Sequence, residues 1–460
     1  MEPSLALLKM ETGGADGRRI DMALDNNTER SNSMGDVWAG LARTVITPPV
    51  ESTWQAGYAA RRHAAEGIHD DLVATALVLD DGSGEPGRRI ALIAVDIITL
   101  RDEQVQRIRG LLAEQGAVQP ERVLICSSHT HGGPAVLQRA TLPSNAEYIG
   151  ALEQHLAGLV AAAARRLTPV AIGLGFSEAR FNVNRRLAQP DGQMVMRPNA
   201  QGIVDRSVTV LRLDTLSGGH PTPGAAPLAL LFRYVCHPTS MGAQNYQFTA
   251  DYPGAARRFV ERAYADSTKA LFLPGCFANI RPNLTNDEGA FRSATWEEVE
   301  ALGRQLGSSV VQAAEAVCDP TAPPATNLGG VLGAALERLD LPIETNDGGV
   351  TGWPAEVQVL RCGETYIVGL PGEIFLETGL KAQQAVARAS GVEPARVLVL
   401  GYCNGSIGYL PTASAIPEGG YEVGAWRNSE RPGGFTADAE RRLVECAARQ
   451  AARLAVMSAR

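Results

Sequence analysis

Residues 123–134 read VLICSSHTHGGP, and this stretch changes character halfway along. Its first four residues form an unbroken apolar run, which is typical of a strand buried on both faces. Two serines, a His-Thr-His triplet and Gly-Gly-Pro follow, and the glycines and proline end any regular element. His129 and His131 therefore stand where a buried strand meets a loop, the place where open α/β sheets bind ligands. On extended backbone the two rings would face the same side, so both could bind one metal, or one could serve the substrate instead.

Strand and helix patterns alternate around this stretch. A β-rich run at residues 90–96 is followed by a helical pattern over 101–115, and the central strand is followed by an Ala-rich helix over 148–167. This alternation predicts an α/β fold with mixed β-sheets flanked by helices and a site at the carboxyl ends of strands. Further helices are predicted over residues 252–263, 296–317, 373–390 and 437–455, and further strands at 41–47, 172–176, 208–213, 228–236, 270–273, 357–360, 366–369 and 396–400.

The chain composition is that of an ordinary soluble protein. The 460 residues are 45% hydrophobic and 20% charged. A net charge of −8 argues against a nucleic-acid partner, and no apolar run is long enough to span a membrane. The first 36 residues are polar and lack the pattern of a secretory signal, so we expect a loosely attached tail at 1–36 and a single catalytic domain at 37–460. The segment 319–333, rich in Pro, Ala and Gly, is the one candidate internal seam.

The seven cysteines include no CxxC pair, and several lie in apolar runs. An odd number with this placement indicates buried free thiols in a reducing compartment, and hence a cytoplasmic location.

Other polar residues repeat the placement of His129. His237 follows the apolar run LALLFRYVC, and Glu373 follows Gly-Leu-Pro-Gly. Tyr409 and Tyr421 lie in a glycine-rich segment directly after a predicted buried strand, where loops commonly carry function. Arg185 lies in NVNRR, between two predicted strands. Taken alone, each of these residues could equally be a structural group, such as a first-turn helix acid, a packed ring or a solvated arginine.

Taken together and in order, these motifs resemble a known family. SSHTHGGP, NVNRR, YVCHPTSM, ADYPGAA, LPGE and GYLPT…GGYE, preceded by VITPP and GIHDDL, resemble the catalytic domain of the neutral (non-lysosomal) ceramidases. The resemblance extends from about Leu41 to Met457. Each motif alone is weak, but the combination is specific.

The resemblance implies a zinc amidohydrolase, in which metal-activated water cleaves a linear N-acyl bond. It places the metal ligands at four positions, which are His129, His237, Glu373 and Tyr409. It places further catalytic residues at His131, Arg185 and Tyr421. Two imidazoles and a carboxylate are typical zinc ligands, and His131 or Tyr421 could donate to the oxyanion or protonate the leaving amine.

The chain departs from the family where ceramidases carry a segment like GDVSPN. Residues 278–283 read ANIRPN, so Arg281 replaces the family's serine. We expect Asn279 and Arg281 to bind substrate, and the substrate to be smaller or more polar than ceramide, with an anionic group that Arg281 or Arg185 could pair with. The family's long form also has an immunoglobulin-like C-terminal domain, which we do not expect here.

Two alternatives stay open. The same zinc site could hydrolyse an ester, a lactone or a carbamate, or the chain could be a catalytically silent zinc-binding or ligand-binding homologue. The expected partner is a small amide, without nucleic acid or a membrane span, and homo-oligomer formation is left open.

Overall fold

The computed structural model describes residues 37–137, 143–222, 224–318 and 331–456. The predicted tail and most of the predicted seam lie outside these ranges, so the division into a tail and one catalytic domain stays a prediction. Among the described helices, none is long and apolar enough to cross a membrane.

The strands are numbered here in chain order. They are β1 (Val37–Val45), β2 (Gly67–Ile68), β3 (Val73–Asp80), β4 (Ile90–Val95), β5 (Val123–Ser127), β6 (Thr168–Glu178), β7 (Asn182–Ala188), β8 (Met194–Asn199), β9 (Ser207–Ser217), β10 (His220–Pro221), β11 (Ala229–Tyr234), β12 (Gln247–Phe248), β13 (Lys269–Pro274), β14 (Ile280–Pro282), β15 (Leu332–Thr345), β16 (Val350–Cys362), β17 (Thr365–Gly369), β18 (Glu373–Ile374), β19 (Val397–Leu400), β20 (Tyr409–Leu410) and β21 (Gly433–Phe435).

The α-helices are numbered in the same way. They are α1 (Asp102–Gln115), α2 (Ala146–Ala164), α3 (Asp251–Ala263), α4 (Trp296–Ala316), α5 (Leu376–Ser390), α6 (Ala415–Glu418), α7 (Tyr421–Gly424) and α8 (Ala437–Val456). Local sequence explains several ends. Thr295 and Glu298 form a reciprocal capping box at the start of α4, and α1 ends at Gly116, whose φ of 64° suits a glycine.

Two mixed sheets form the centre of the fold. The first has the order β13-β11-β9-β6-β1-β3-β4-β5, with β10 beside β9, and the second has the order β19-β17-β16-β15-β21. They face each other across an apolar core that includes Leu124, Leu231 and Leu271 from the first sheet and Leu360 and Ile367 from the second. Helices α1 to α4 pack on the first sheet, and α5 and α8 on the second. The predicted α/β class, with mixed sheets flanked by helices, is confirmed.

Strand twist explains how distant strands meet. Strands β5 and β11 lie six steps apart in the first sheet and run in opposite senses by their pairing. A twist of about 20–25° per step accumulates to more than 100° over that distance, which brings their carboxyl ends toward each other. Contacts of β13 with β4 and β5 show that the two edges of the sheet approach. The sheet therefore curls around the residues that follow β5 and β11.

Three small sheets surround this point. They are the pair β12-β2, the three-stranded sheet β14-β7-β8 and the pair β18-β20. The last pair is parallel and sets Glu373 opposite Tyr409. These short pairings bring segments from both halves of the chain to one place.

Several predicted elements differ from the structure. Glu373 was predicted to open a helix, but it lies in β18 and the helix starts at Leu376. The reason is Gly372, whose φ of 83° turns the chain so that Glu373 pairs with Tyr409. The NVNRR motif, predicted between strands, forms β7. The long strand β15 was not predicted, because its charged residues and Pro342 obscure the apolar pattern.

Candidate active site

His129 follows β5 in a conformation that the sequence did not predict. Its φ is 64°, so the His-Thr-His triplet is not extended as expected. The left-handed backbone is costly for a residue with a Cβ and is typical of functional sites. The backbone N–H of His129 donates to Ile97 O at 3.0 Å, and its ring Nδ1 lies 2.6 Å from Ile98 O. Because a carbonyl oxygen only accepts, Nδ1 carries a hydrogen, so in the neutral ring the lone pair is on Nε2.

His237 follows β11 and is held in the same way. Its ring Nδ1 lies 2.8 Å from Phe277 O, and its backbone N–H donates to Ile280 O at 3.1 Å. The side chain has no exposed surface, and Nε2 has no hydrogen-bond partner. Burial, together with the charge of the Arg185 guanidinium, lowers the pKa of His237 to about 4. His237 is therefore a neutral imidazole with a free lone pair.

Glu373 lies between the two histidines. Its Oε2 is 3.6 Å from His129 Nε2 and 3.3 Å from His237 Nε2, and this oxygen has no hydrogen-bond partner of its own. Burial opposes ionisation, but His129 and His237 hold the pKa of Glu373 well below its usual value. One carboxylate and two imidazole lone pairs thus converge on one point.

Tyr409 brings a fourth group, its hydroxyl, close to this point. It is opposite Glu373 across the β18–β20 pair, and its hydroxyl accepts from Arg185 Nη2 at 3.0 Å. Burial, followed by the charge of Glu373, raises the pKa of Tyr409 well above its usual value.

His131 lies on the other side of His129. The two Nε2 atoms are 3.4 Å apart, while His131 Nδ1 is buried without a partner. The donor nitrogens of His129, His131 and His237 lie within 4.8 Å of one another, a spacing that could hold a metal ion. Burial and the neighbouring histidines lower the pKa of His131 well below its usual value, so the ring is neutral.

Arg185 is tied into a buried ion network. Its Nε donates to Glu422 Oε1 at 2.8 Å, and Arg186 Nη1 donates to the other oxygen of Glu422 at 2.8 Å. Tyr421, by contrast, is 53% exposed, and its ring lies 5.6 Å from the ring of Tyr409. Arg185 thus lies inside the site and Tyr421 at its mouth.

The two predicted substrate-binding residues lie in different settings. Arg281 donates from Nη2 to Thr239 O at 3.3 Å, and its Nε has no partner. The Asn279 side chain is occupied, because its Nδ2 donates to Glu377 at 2.8 Å and its Oδ1 accepts from Leu376 N at 3.0 Å. Asn279 therefore fixes the start of α5, and a substrate-binding role for it stays a prediction.

Three residues of the site were missed in the sequence. Tyr402 places its ring 4.1 Å from that of His129, Tyr58 places its ring 4.9 Å from that of His131, and Glu422 holds Arg185. Glu422 directly follows Tyr421, so the GGYE motif contained a signal for it. For Tyr58 and Tyr402 there was none, because both reach the histidines only through tertiary packing.

Comparisons with known proteins agree with this fold. The family model for the N-terminal part of neutral/alkaline non-lysosomal ceramidase matches residues 38–293. The neutral ceramidase of Mycobacterium tuberculosis is 22% identical over 473 residues, covering 83% of this chain and 72% of that protein. The neutral ceramidase of Drosophila pseudoobscura pseudoobscura is 26% identical over 283 residues, covering 57% of this chain and 38% of that protein.

A solved structure supports the fold over a longer range. The neutral ceramidase from Pseudomonas aeruginosa superposes with a TM-score of 0.73 at 19% identity, covering 92% of this chain and 75% of that one. Neutral ceramidases are hydrolases of a carbon–nitrogen bond that is not a peptide bond, so the predicted enzyme class is confirmed. Because the family model spans more than half of its length, this chain belongs to the neutral/alkaline non-lysosomal ceramidase family.

Proposed function

We propose that this protein is a zinc-dependent amidohydrolase that cleaves a linear N-acyl bond in a substrate smaller or more polar than ceramide. The observation that carries the proposal is the pair of imidazoles whose Nδ1 atoms donate to backbone carbonyls, which leaves both Nε2 lone pairs facing one carboxylate. A histidine fixed through its second nitrogen is the usual arrangement around a bound metal.

The donor set fits zinc. His129, His237 and Glu373 would hold the ion, with the Tyr409 hydroxyl as a fourth ligand. His237 Nε2 and Glu373 Oε2 are buried polar atoms without a partner, which is costly unless a ligand satisfies them. When bound, zinc lowers the pKa of a coordinated water and polarises the carbonyl that is attacked.

The remaining residues have separate tasks in the proposal. His131, neutral and beside His129, can take a proton at one ring nitrogen and return it to the leaving amine. Arg185 holds the Tyr409 hydroxyl in place and is itself held by Glu422. Tyr421, at the mouth, can donate its hydroxyl to the substrate carbonyl oxygen.

The preference for a polar substrate is supported by Arg281. A guanidinium next to the site disfavours a purely apolar chain at that position, because burying an uncompensated charge against hydrocarbon is costly. We therefore expect poor turnover of long-chain ceramides and better turnover of short or charged amides. Efficient turnover of a C16 ceramide that is unchanged in Arg281→Ser would contradict this expectation.

Metal analysis tests the proposal directly. The purified protein should contain about one equivalent of zinc, and His237→Ala should lose both the metal and amide hydrolysis. His155→Ala is the matched control, because His155 is exposed on α2. A panel of short N-acyl amines, with the corresponding esters, lactones and carbamates, would then identify the bond. Full zinc and full activity in His237→Ala would remove the proposal, and bound zinc without any hydrolysis would favour the silent homologue.

We further propose that the protein works in a reducing compartment such as the cytoplasm. In support, the described cysteines in the core are thiols, and the sulfurs of Cys126 and Cys403 lie 3.2 Å apart without a bond. Thiol titration of the unfolded protein should count all seven cysteines. A count lower by two would contradict this location.

A further inference from the structure

One short segment, residues 238–241, anchors three parts of the site. The backbone N–H of His131 donates to Pro238 O at 3.2 Å. Arg281 Nη2 donates to Thr239 O at 3.3 Å, and the Tyr58 hydroxyl donates to Met241 O at 2.7 Å. Tyr58 also packs on the ring of His131. Arg281, Tyr58 and His131, the proposed proton carrier, therefore form one wall of the site.

Arg281 forms no ion pair with an acid in the described part of the chain. Among the residues that the structure describes, no carboxylate oxygen lies within 4 Å of its guanidinium nitrogens, and Nε has no acceptor at all. The group instead lies over the Phe291 ring, with Cζ 4.2 Å from the ring centroid. Burial lowers the pKa of Arg281. Leaving a charged donor in this position costs stability, so a ligand is the natural reason to keep it.

The nearest acid in this wall is already engaged. Asp251 accepts from Ser240 N at 2.9 Å through one oxygen and from Tyr252 N at 2.6 Å through the other. Asp251 therefore fixes the segment 238–241 through the backbone of Ser240 and does not pair with Arg281.

A second guanidinium adds to the positive field. Arg61 lies with its Cζ 5.1 Å from the Tyr58 ring centroid and is buried. Its Nη atoms donate to Ala56 O and Asn245 O, and its Nε has no acceptor. Within the described part of the chain Arg61 also has no carboxylate within 4 Å. Tyr58 is thus flanked by two cations, although burial still raises its pKa to about 12.

We propose that Arg281 binds an anionic group of the substrate, a carboxylate close to the scissile amide, and that the enzyme selects N-acyl compounds that carry such a charge. A guanidinium with unused donors binds a planar carboxylate through two parallel hydrogen bonds, and the aromatic neighbours exclude water from that contact. This inference rests on the proposed amide hydrolysis and adds the substrate class. Arg185 does not have this role, since Glu422 neutralises it.

Matched substrates test the proposal in the zinc-loaded enzyme. N-hexanoylglycine and its carboxamide place or remove a carboxylate on the amine side, and the hexylamide of succinic acid and its methyl ester do so on the acyl side. For one of the two pairs we expect kcat/KM to be about 10²–10³-fold higher for the anionic member. Equal kcat/KM within both pairs would overturn the proposal.

Variants of Arg281 test whether this residue causes the preference for anionic substrates. Arg281→Ser should reduce the anionic-to-neutral ratio by about 10²-fold, mainly through KM of the anionic substrate, and Arg281→Lys should restore part of it. Arg441→Ser, on the exposed face of α8, is the matched control and should keep the ratio. A loss of fold alone would lower both activities together and leave the ratio unchanged, which would count against the role.

Binding measurements separate this inference from the proposed function. Calorimetry should detect N-hexanoylglycine, or the succinic acid hexylamide, binding at least tenfold more tightly than its neutral partner, with the difference lost in Arg281→Ser. If no amide is cleaved but this difference is present, the proposed hydrolysis fails and the anion site stands. If neutral amides are cleaved and the difference is absent, the anion site fails and the hydrolysis stands.

Discussion

Two polar clusters lie side by side in this protein. In the first the charges form ion pairs, whereas in the second several polar atoms have no partner. The ion-pair cluster consists of Arg43, Asp70, Asp96, Arg257, Arg258 and Glu261. In it Arg257 Nη1 meets Asp96 Oδ2 at 2.8 Å and Arg258 Nη1 meets Asp70 Oδ2 at 2.9 Å. Thr249 connects it to the active site, because its hydroxyl donates to Asp70 and its N–H to Gly132 O.

In the active site Arg185 is paired with Glu422, but several polar atoms around His237 and Glu373 lack partners. His237 Nε2 and Glu373 Oε2 lie 3.3 Å apart, and both are buried without a hydrogen bond, as is His131 Nδ1. Native proteins rarely leave such groups unsatisfied, and an exception calls for a physical reason. The comparison teaches that paired charges in this fold serve stability, whereas converging unpaired donors mark the place where a ligand binds.

Of the variants that test this comparison, the one without His129 should show the largest effect. His129→Ala takes away one Nε2 lone pair and the ring that faces Glu373, so we expect loss of bound zinc and a fall in kcat beyond 10⁴-fold. Zinc content by elemental analysis and kcat on a short N-acyl amine provide the measurement. Retention of the metal would show that the ligand set is assigned wrongly.

Removing His131 should have a smaller and different effect. The ring lies beside the proposed ligands and is not one of them, so His131→Ala should keep most of its zinc. Its rate should fall about 10²–10⁴-fold, as for loss of a general acid–base group. Zinc content and kcat measured together separate the two histidines, and equal zinc loss in both variants would refute the division of labour.

Breaking the ion-pair cluster should affect stability instead of metal binding. Asp70→Ala leaves Arg258 with Glu300 alone and removes the acceptor of Thr249, so we expect a loss of about 2–4 kcal/mol in the free energy of unfolding. Urea denaturation measures it, with zinc content as the second readout. Asp438→Ala, in an exposed pair on α8, should leave the urea midpoint nearly unchanged. Loss of the metal in a folded Asp70→Ala variant would contradict the claim that the ion-pair cluster serves stability alone.

The sequence located the histidines better than it explained their meeting. His129 and His237 each follow an apolar run, so their position at strand ends could be predicted from local pattern. Their convergence depends on the twist of the sheet, which brings together the ends of strands that no local pattern connects. The left-handed backbone at His129 was also beyond prediction, since few residues other than glycine adopt it and the surrounding hydrogen bonds depend on tertiary structure.

The second half of the chain shows the same limit. Glu373 and Tyr409 were picked out by motif, but the two-residue strands that set them opposite each other carry too little sequence to be predicted. Arg185 was expected to be free to pair with a substrate, and the structure pairs it with Glu422. Charge compensation between residues more than two hundred positions apart cannot be inferred from spacing.

Asp102 tests whether an uncompensated charge by itself marks a binding site. It lies in the first turn of α1, outside both clusters, and burial raises its pKa to about 6, with Glu356 and Glu103 adding to the effect. The folded state therefore binds the proton more tightly than the unfolded state, whose pKa is near 3.8. Stability therefore falls as pH rises from about 4 to about 6. Above pH 6 the whole cost of ionising Asp102 in the folded state is present.

Asparagine cannot ionise, so Asp102→Asn should remove this cost. At pH 8 the variant should be more stable by about 1–2 kcal/mol, a value reduced for partial exposure and for the favourable helix N-terminus. At pH 4 the advantage should be close to zero, because wild-type Asp102 is then protonated in the folded state. Urea midpoints at the two pH values measure the difference, with Glu114→Gln, exposed near the end of the same helix, as the control. A constant difference at both pH values would refute the linkage. If zinc content and kcat are also unchanged, an uncompensated charge away from the site is not by itself a sign of function. The site is distinguished by several converging donors and, at Arg281, by an unpartnered nitrogen in the wall that anchors His131.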